Sequence, residues 1–307
     1  MNDSALALEF RGVSKRYGNG VLALDRVDWS VARGRRVCLL GPNGAGKSTS
    51  VRLLQGALKP TYGEVSLLGE KVDGGGYLEA RRRTGIVPQS PGMYADLGTL
   101  EYLRLVRRLY GRGDLDATIE RFGLAPYRRT MLAQLSGGFQ RRLVLAAAML
   151  AEPEVLLLDE PTVGLDPVAA HEVRGYLRDA MQGRTVLLCT HNLAEAEELC
   201  EEVVILRGGT VLVHDSLAGL RRRGERRLRL AAEQGREPLL AALAKLGLQA
   251  HPDGDDASAV VVPADDPRAA APQLLRRLLR AGLDVYECRP LEATLEDMFL
   301  ELVGDQR

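Results

Sequence analysis

Short apolar runs separated by polar or glycine-rich segments recur along this chain. Arg36-Val37-Cys38-Leu39-Leu40, Val155-Leu156-Leu157-Leu158 and Thr185-Val186-Leu187-Leu188-Cys189 are compact runs that read as buried strands. Ala7-Leu8-Glu9-Phe10 opens another strand, Tyr17-Gly18-Asn19-Gly20 is a turn, and residues 63–68 and 85–87 return to strand character. Thr49 to Leu58 places Val51, Leu53, Leu54 and Leu58 at helical spacing, and the stretch from Leu97 to Met149 is mainly helical and rich in Leu and Arg. Strands alternating with helices predict an α/β fold with a parallel sheet covered on both faces, here interrupted by a helical subdomain at about residues 92–150.

The pattern changes after the basic run Arg221-Arg222-Arg223. From there it predicts a strand (Arg227–Ala231), a helix (Glu237–Leu246), strands at Leu248–His251 and Ser258–Val262, a helix (Ala269–Ala281), a strand (Asp284–Cys288) and a last helix from Leu291. That split βαβ order predicts a small α+β, ferredoxin-like domain over residues 221–307, following a larger domain over residues 1–220.

Composition narrows the picture modestly. A chain of 307 residues, 46% hydrophobic and 27% charged, has material for two cores. A formal net charge of +0 removes the electrostatic case for general nucleic-acid binding. Cys38, Cys189, Cys200 and Cys288 form no CxxC pair and read as reduced thiols. The first residues show no secretory signal. The most apolar candidate for a membrane span, Leu143 to Leu158, is broken by Glu152, Pro153 and Glu154, so no crossing is expected.

Two segments carry recognisable chemistry. Gly41-Pro42-Asn43-Gly44-Ala45-Gly46-Lys47-Ser48 fits G-x-x-x-x-G-K-[ST] between an apolar strand and a helical pattern. Glycines let the loop curl its amides toward phosphate oxygens, the helix beginning near Thr49 aims its positive end there, Lys47 reaches the β- and γ-phosphates, and Ser48 supplies a hydroxyl to Mg²⁺. The strand Val155–Leu158 runs into Asp159-Glu160, setting carboxylates at the sheet edge where ligands bind. Asp159 is the candidate Mg²⁺ holder and Glu160 the candidate general base. Alone, acids after a strand are ordinarily structural; the phosphate loop reverses that reading.

Leu135-Ser136-Gly137-Gly138-Phe139-Gln140, taken with the loop at 41–48 and Asp159-Glu160, resembles the signature of the ATP-binding subunits of ABC transporters, over about Leu6 to Leu220. The resemblance implies further roles: Tyr17 as the aromatic stacking on adenine, Gln89 as a glutamine touching Mg²⁺ and water and linking to a membrane partner, Gly164-Leu165-Asp166 as a loop crossing to the other subunit, and His191 as the γ-phosphate contact. Isolated, each of these residues has a bland alternative; their order and spacing favour the functional one. His171, His214 and His251 match nothing and are read as structural. Two departures stand out, Val163 where serine commonly precedes Gly-Leu-Asp-Pro, and Phe139 where glutamine is frequent.

The resemblance further implies ATP and Mg²⁺ as ligands. It implies a homodimer in which Ser136 and Gly138 complete the nucleotide site of a second copy, and a separately encoded membrane permease that holds the pair at the cytoplasmic face of a bacterial cell membrane. The helical insert is the expected dock for that permease, with Tyr94, Leu97, Leu100, Tyr102 and Leu103 forming either a groove or the insert's own core. The ending Leu295–Leu302 resembles that of ABC-2-type export ATPases of the drug-resistance and sodium-export kind. Two alternatives stay open: an importer ATPase with a regulatory C-terminal domain, and a soluble ABC protein acting on ribosomes or DNA. The cargo is not legible in the chain.

Overall fold

The computed structural model describes residues 6–90, 92, 96–224, 226–254, 256–291 and 294–304, and the chain divides into two compact units between Ser216 and Leu217. In the first unit, β1 (Leu6–Arg16) and β2 (Leu22–Ala32) pair antiparallel. The Tyr17–Gly20 turn joins them, closed by the Gly20 amide donating to the Tyr17 carbonyl at 2.9 Å. Phe10 lies opposite Trp29, and their rings stack with centroids 4.3 Å apart, a cross-strand aromatic pair that pins the register. β1 continues well past Phe10, the last residue of the strand start that the sequence pattern marks.

β3 (Arg36–Leu40) leads through residues 41–46 into α1 (Lys47–Leu54), and β4 (Tyr62–Leu67) and β5 (Glu70–Lys71) return to β1, completing an antiparallel sheet ordered β2-β1-β4-β5. The helix expected to reach Leu58 stops at Leu54, because Gly56 takes a left-handed φ of 69°. After α2 (Tyr77–Arg82) and β6 (Thr84–Val87) come the helices of the insert, α3 (Thr99–Tyr110), α4 (Leu115–Arg121) and α5 (Gly137–Met149). Leu103 is fully buried in that insert, while Leu109 on α3 is 71% exposed; Tyr94 lies outside the described residues. The unit closes with β7 (Val155–Asp159), α6 (Pro167–Met181), β8 (Thr185–Cys189), α7 (Leu193–Leu199), β9 (Glu202–Arg207) and β10 (Thr210–Ser216).

The second sheet of this unit runs β10-β9-β3-β8-β7-β6, parallel from β9 to β6 with β10 as an antiparallel edge. All of β7 and β8 are buried, which is why their sequences read as unbroken apolar runs rather than alternations. Adjacency of β3, β8 and β7 brings the carboxyl ends of three sequence-distant strands to one edge, the usual ligand position in open parallel sheets.

The second unit holds α8 (Leu217–Arg223), β11 (Arg227–Ala232), α9 (Arg236–Lys245), β12 (His251–Pro252), β13 (Ala259–Pro263), α10 (Pro267–Arg280), β14 (Val285–Leu291) and α11 (Leu295–Gly304). Its sheet is antiparallel in the order β12-β13-β11-β14, the split βαβ arrangement. Leu228, Leu230, Leu239, Leu243, Val260 and Leu278 form its core. The strand expected at Leu248–His251 shrinks to His251–Pro252, because the Leu248 amide closes the end of α9 by donating to the Leu243 carbonyl at 3.1 Å. Leu291, expected to open the last helix, instead ends β14 opposite Arg227. The cysteines are free thiols, with Cys38, Cys189 and Cys200 buried. Among the described residues, no helix is long and apolar enough to cross a membrane.

Candidate nucleotide site

The loop after β3 is shaped by close approach. A Cβ on Gly46, whose φ is 110°, would fall 2.5 Å from Leu24 Cδ2 and 2.8 Å from the Ala23 carbonyl, so only glycine passes there. Gly41, Ala45, Gly46, Lys47 and Thr49 are buried, Ser48 is half-buried, and Pro42, Asn43 and Gly44 form the exposed rim. Gly46 caps α1 with no side chain to satisfy its first amides, leaving an open positive helix end. Lys47 Nζ folds back into the loop, donating to the Gly41 carbonyl at 2.6 Å and the Pro42 carbonyl at 3.2 Å. Tyr17 stands beside this turn, its hydroxyl 3.2 Å from Thr49 Oγ1.

Two carboxylates face that helix end. Ser48 Oγ donates to Asp159 Oδ1 at 3.4 Å. Burial pushes the Asp159 carboxyl above its ordinary range, against the opposing pull of the Ser48 hydrogen bond and the Lys47 charge, with Glu160 adding to the rise. Glu160 is buried and sits at a φ of 49°, a left-handed conformation that costs a residue with a side chain about 1–2 kcal/mol. Its amide donates to the Cys189 carbonyl at 2.8 Å, tying the end of β7 to the end of β8. His191, two residues beyond β8, sets Nδ1 3.0 and 2.9 Å from the two Glu160 carboxylate oxygens. The pair of oxygens from Ser48 and Asp159 suits Mg²⁺, a hard ion that takes one or two protein ligands and fills its shell with water and phosphate.

The structure brings Tyr17, Lys47, Ser48, Thr49, Asp159, Glu160 and His191 to one sheet edge. The signature lies elsewhere in the same unit. Ser136 caps α5 by accepting from the Phe139 amide at 3.5 Å, and Gln140 Nε2 donates to the Leu132 and Leu135 carbonyls at 3.1 and 3.2 Å, so these bonds stay within the segment and leave Ser136 and Gly137 exposed. Helix α5 packs closely on the following loop and on α6: a Cβ on Gly137 would lie 3.4 Å from Leu165 Cδ2, and one on Gly138 would lie 3.1 Å from Ala169 Cβ. Gly164 turns that loop with a φ of 75°, and Asp166 caps α6, accepting from the Val168 and Ala169 amides at 3.0 Å each. Phe139 is packed, with its ring 4.1 Å from Tyr127, and the Arg142 guanidinium sits between it and Tyr176 at 4.5 and 4.6 Å.

Sequence reasoning missed two residues that the geometry brings forward. Glu195, buried in α7, accepts from Thr162 Oγ1 at 2.8 Å, and burial raises its carboxyl, so the segment after Glu160 is tied to the helix after His191. Arg141, buried in α5, donates to the carbonyls of Pro88 and Gln89, while the Gln89 residue itself is exposed. The available signal was a charge on a helix face otherwise occupied by Val144, Leu145 and Ala148.

Comparison with known proteins gives the chain its relatives. The ABC transporter family model matches residues 24–163. The daunorubicin resistance ATP-binding protein DrrA3 of Streptomyces coeruleorubidus is 37% identical over 316 residues, covering 100% of this chain and 98% of that one. The Nod factor export ATP-binding protein I of Burkholderia thailandensis is 36% identical over 310 residues, covering 98% of each. Among solved structures, an ATP binding subunit of an ABC transporter superposes with a TM-score of 0.64 at 33% identity, covering 71% of this chain and 92% of its own. The dimeric post-hydrolysis state of an ATP-binding cassette bound to ADP and Pi does so with a TM-score of 0.62 at 28% identity, covering 68% and 98%. The fold and site define a P-loop ATPase of the cassette type. The chain belongs to the ABC transporter family, as an ATP-hydrolysing ATP-binding subunit.

Proposed function

We propose that this chain is the motor of an ABC-2-type exporter, working as a homodimer beneath a separately encoded membrane permease at the cytoplasmic face of a bacterial membrane. The observation that carries the export reading is similarity along the whole chain, second unit included, to a daunorubicin resistance ATP-binding protein. The dimeric cassette among the structural relatives supports the paired arrangement.

In this reading Lys47 and the amides of residues 44–49 hold the β- and γ-phosphates of ATP, and Tyr17 stacks on its base. Mg²⁺ held by Ser48 and Asp159, with Gln89 in reach, would neutralise charge on the phosphates when bound. Glu160 takes the proton of the attacking water; the His191 ring, bonded to both carboxylate oxygens, orients it and faces the γ-phosphate. Ser136 and Gly138 of one copy serve the nucleotide of the other, with the positive end of α5 aimed at the γ-phosphate, and Gly164, Leu165 and Asp166 cross at the same seam. Two shared nucleotides close the dimer, and loss of the γ-phosphate lets it open. The exposed Leu109 side of α3 supports docking of an apolar permease helix on the insert. Affinity purification of the chain from its native membrane tests the reading: an integral membrane permease should come with it, and recovery of ribosomes or DNA without one would overturn it.

A further inference from the structure

We propose that Arg141 is a positioning residue that fastens the Gln89 loop to the signature-bearing helix α5, so that displacement at Ser136 is transmitted to Gln89 inside one subunit. The inference rests on the roles proposed above for Gln89 and Ser136.

The geometry is specific. Ser136 caps α5, and Arg141 lies one and a half turns further along the same rigid helix, about 7.5 Å by helical rise. Only 7% of Arg141 is exposed. Its Nη1 donates to the Pro88 carbonyl at 2.8 Å and its Nη2 donates to the Gln89 carbonyl. These carbonyls lie just past Val87, whose pairing with Leu158 is the last between β6 and β7. β6 is the edge strand of its sheet, and the two carbonyls that follow its last described pair with β7 are held by the Arg141 fork. A buried guanidinium is costly unless its donors are filled, and a planar fork fixes two carbonyls in a way a lysine ammonium does not. Burial depresses the basicity of Arg141 while the nearby Asp159 carboxylate opposes that effect, so the clamp also lies in the field of the proposed metal site.

A loop held this way cannot shift independently of α5. Engagement of Ser136 by a second copy's nucleotide would therefore change where Gln89 sits against its own, a coupling between two sites through a contiguous element.

The test is a double-mutant cycle on the full chain, reading steady-state ATP hydrolysis for wild type, Arg141→Met, Gln89→Ala and the double variant, with ATP affinity and thermal midpoint measured alongside. Arg141→Met should lower kcat about tenfold with ATP affinity unchanged, and the double variant should be no slower than Gln89→Ala alone, the non-additivity expected when one residue acts through the other. Arg141→Lys, which keeps charge and stem, should recover part of the loss and supplies the same cycle if the methionine variant is poorly folded. Multiplicative losses in the double variant, or a wild-type kcat in Gln89→Ala beside a slow Arg141→Met, would overturn the proposal. Failure of the nucleotide-site reading is seen separately, as turnover surviving Lys47→Ala.

Discussion

The edge of the parallel sheet and the outer face of the second unit's sheet both gather charge, and they handle it in opposite ways. At the sheet edge Asp159 and Glu160 are buried, Asp159 is held above its ordinary range by burial, and Glu160 stands in a left-handed backbone with a histidine against it. In the second unit Arg229, on the face opposite Leu228 and Leu230, donates to Asp253, Asp256 and Glu287. There the Asp256 carboxyl is pulled down to about 2, first by hydrogen bonds from Ser258 and then by Arg229. The first cluster is buried and strained; the second is exposed enough to be hydrated and internally satisfied. That contrast separates groups poised for a ligand from groups that hold a fold together.

The sharpest break of the comparison is Glu160→Gln. Removing a general base typically costs 10²–10⁴-fold, so turnover should fall by about 10³ while nucleotide stays bound and the nucleotide-bound dimer accumulates; undiminished hydrolysis would sink the assignment. His191→Ala comes next. Glu160 would lose the ring that orients it, and kcat should drop by about 10²-fold with a smaller change in KM; a pure KM effect would instead make His191 a binding group.

Asp159→Asn tests whether the sheet edge trades stability for function. A carboxyl raised by burial destabilises the fold when ionised, so the nucleotide-free variant should melt higher, by ~2–4 °C for about 1 kcal/mol, while losing Mg²⁺-dependent turnover. An unchanged or lower midpoint would show the charge already offset. The smallest effect is a pair of opposite pH slopes. Asp256 has a folded value of about 2 against an unfolded value of about 3.9, so its contribution is present above about pH 4 and is lost as pH falls through 2. Asp159 and Glu195 are raised, so acid relieves rather than adds to their cost. Protection factors of the amides in β11, β13 and β14, with the intrinsic slowing of exchange toward its acid minimum divided out, should therefore fall between about pH 4 and 2, and Arg229→Met should flatten that dependence; an identical acid profile in the variant would remove the arginine from the explanation.

Much of the site was legible because its chemistry lives in contiguous residues. The loop 41–48 needs glycines in sequence with a lysine and serine, and Asp159-Glu160 must follow an apolar strand, so local order encodes both. The strands β3, β7 and β8 were readable because burial on both faces leaves an unbroken apolar run. The N-terminal sheet is only partly legible: β1 and β2 run 11 residues each through bulges and a left-handed Arg26, which blur the alternation that marks a strand. In the sequence Phe139 is a departure from the signature, whereas its packing against Tyr127 and Arg142 gives the bulky ring a structural reason. Arg141 and Glu195 carry no local mark, since a charged residue within a helix is usually solvated and its burial is decided by what packs over it.

By itself, then, the sequence determined the phosphate loop, the acidic strand end, the signature and the alternation of strands with helices, because each depends on neighbouring residues in fixed order. The tertiary structure alone decided that Glu160 meets His191 across 31 positions of chain, that Ser48 meets Asp159 across 111, and that Arg141 meets Gln89 across 52. Those meetings follow from the strand order β3-β8-β7-β6 and from the packing of α5 beside it, and register between distant elements is set by burial and pairing in three dimensions, which no local pattern encodes.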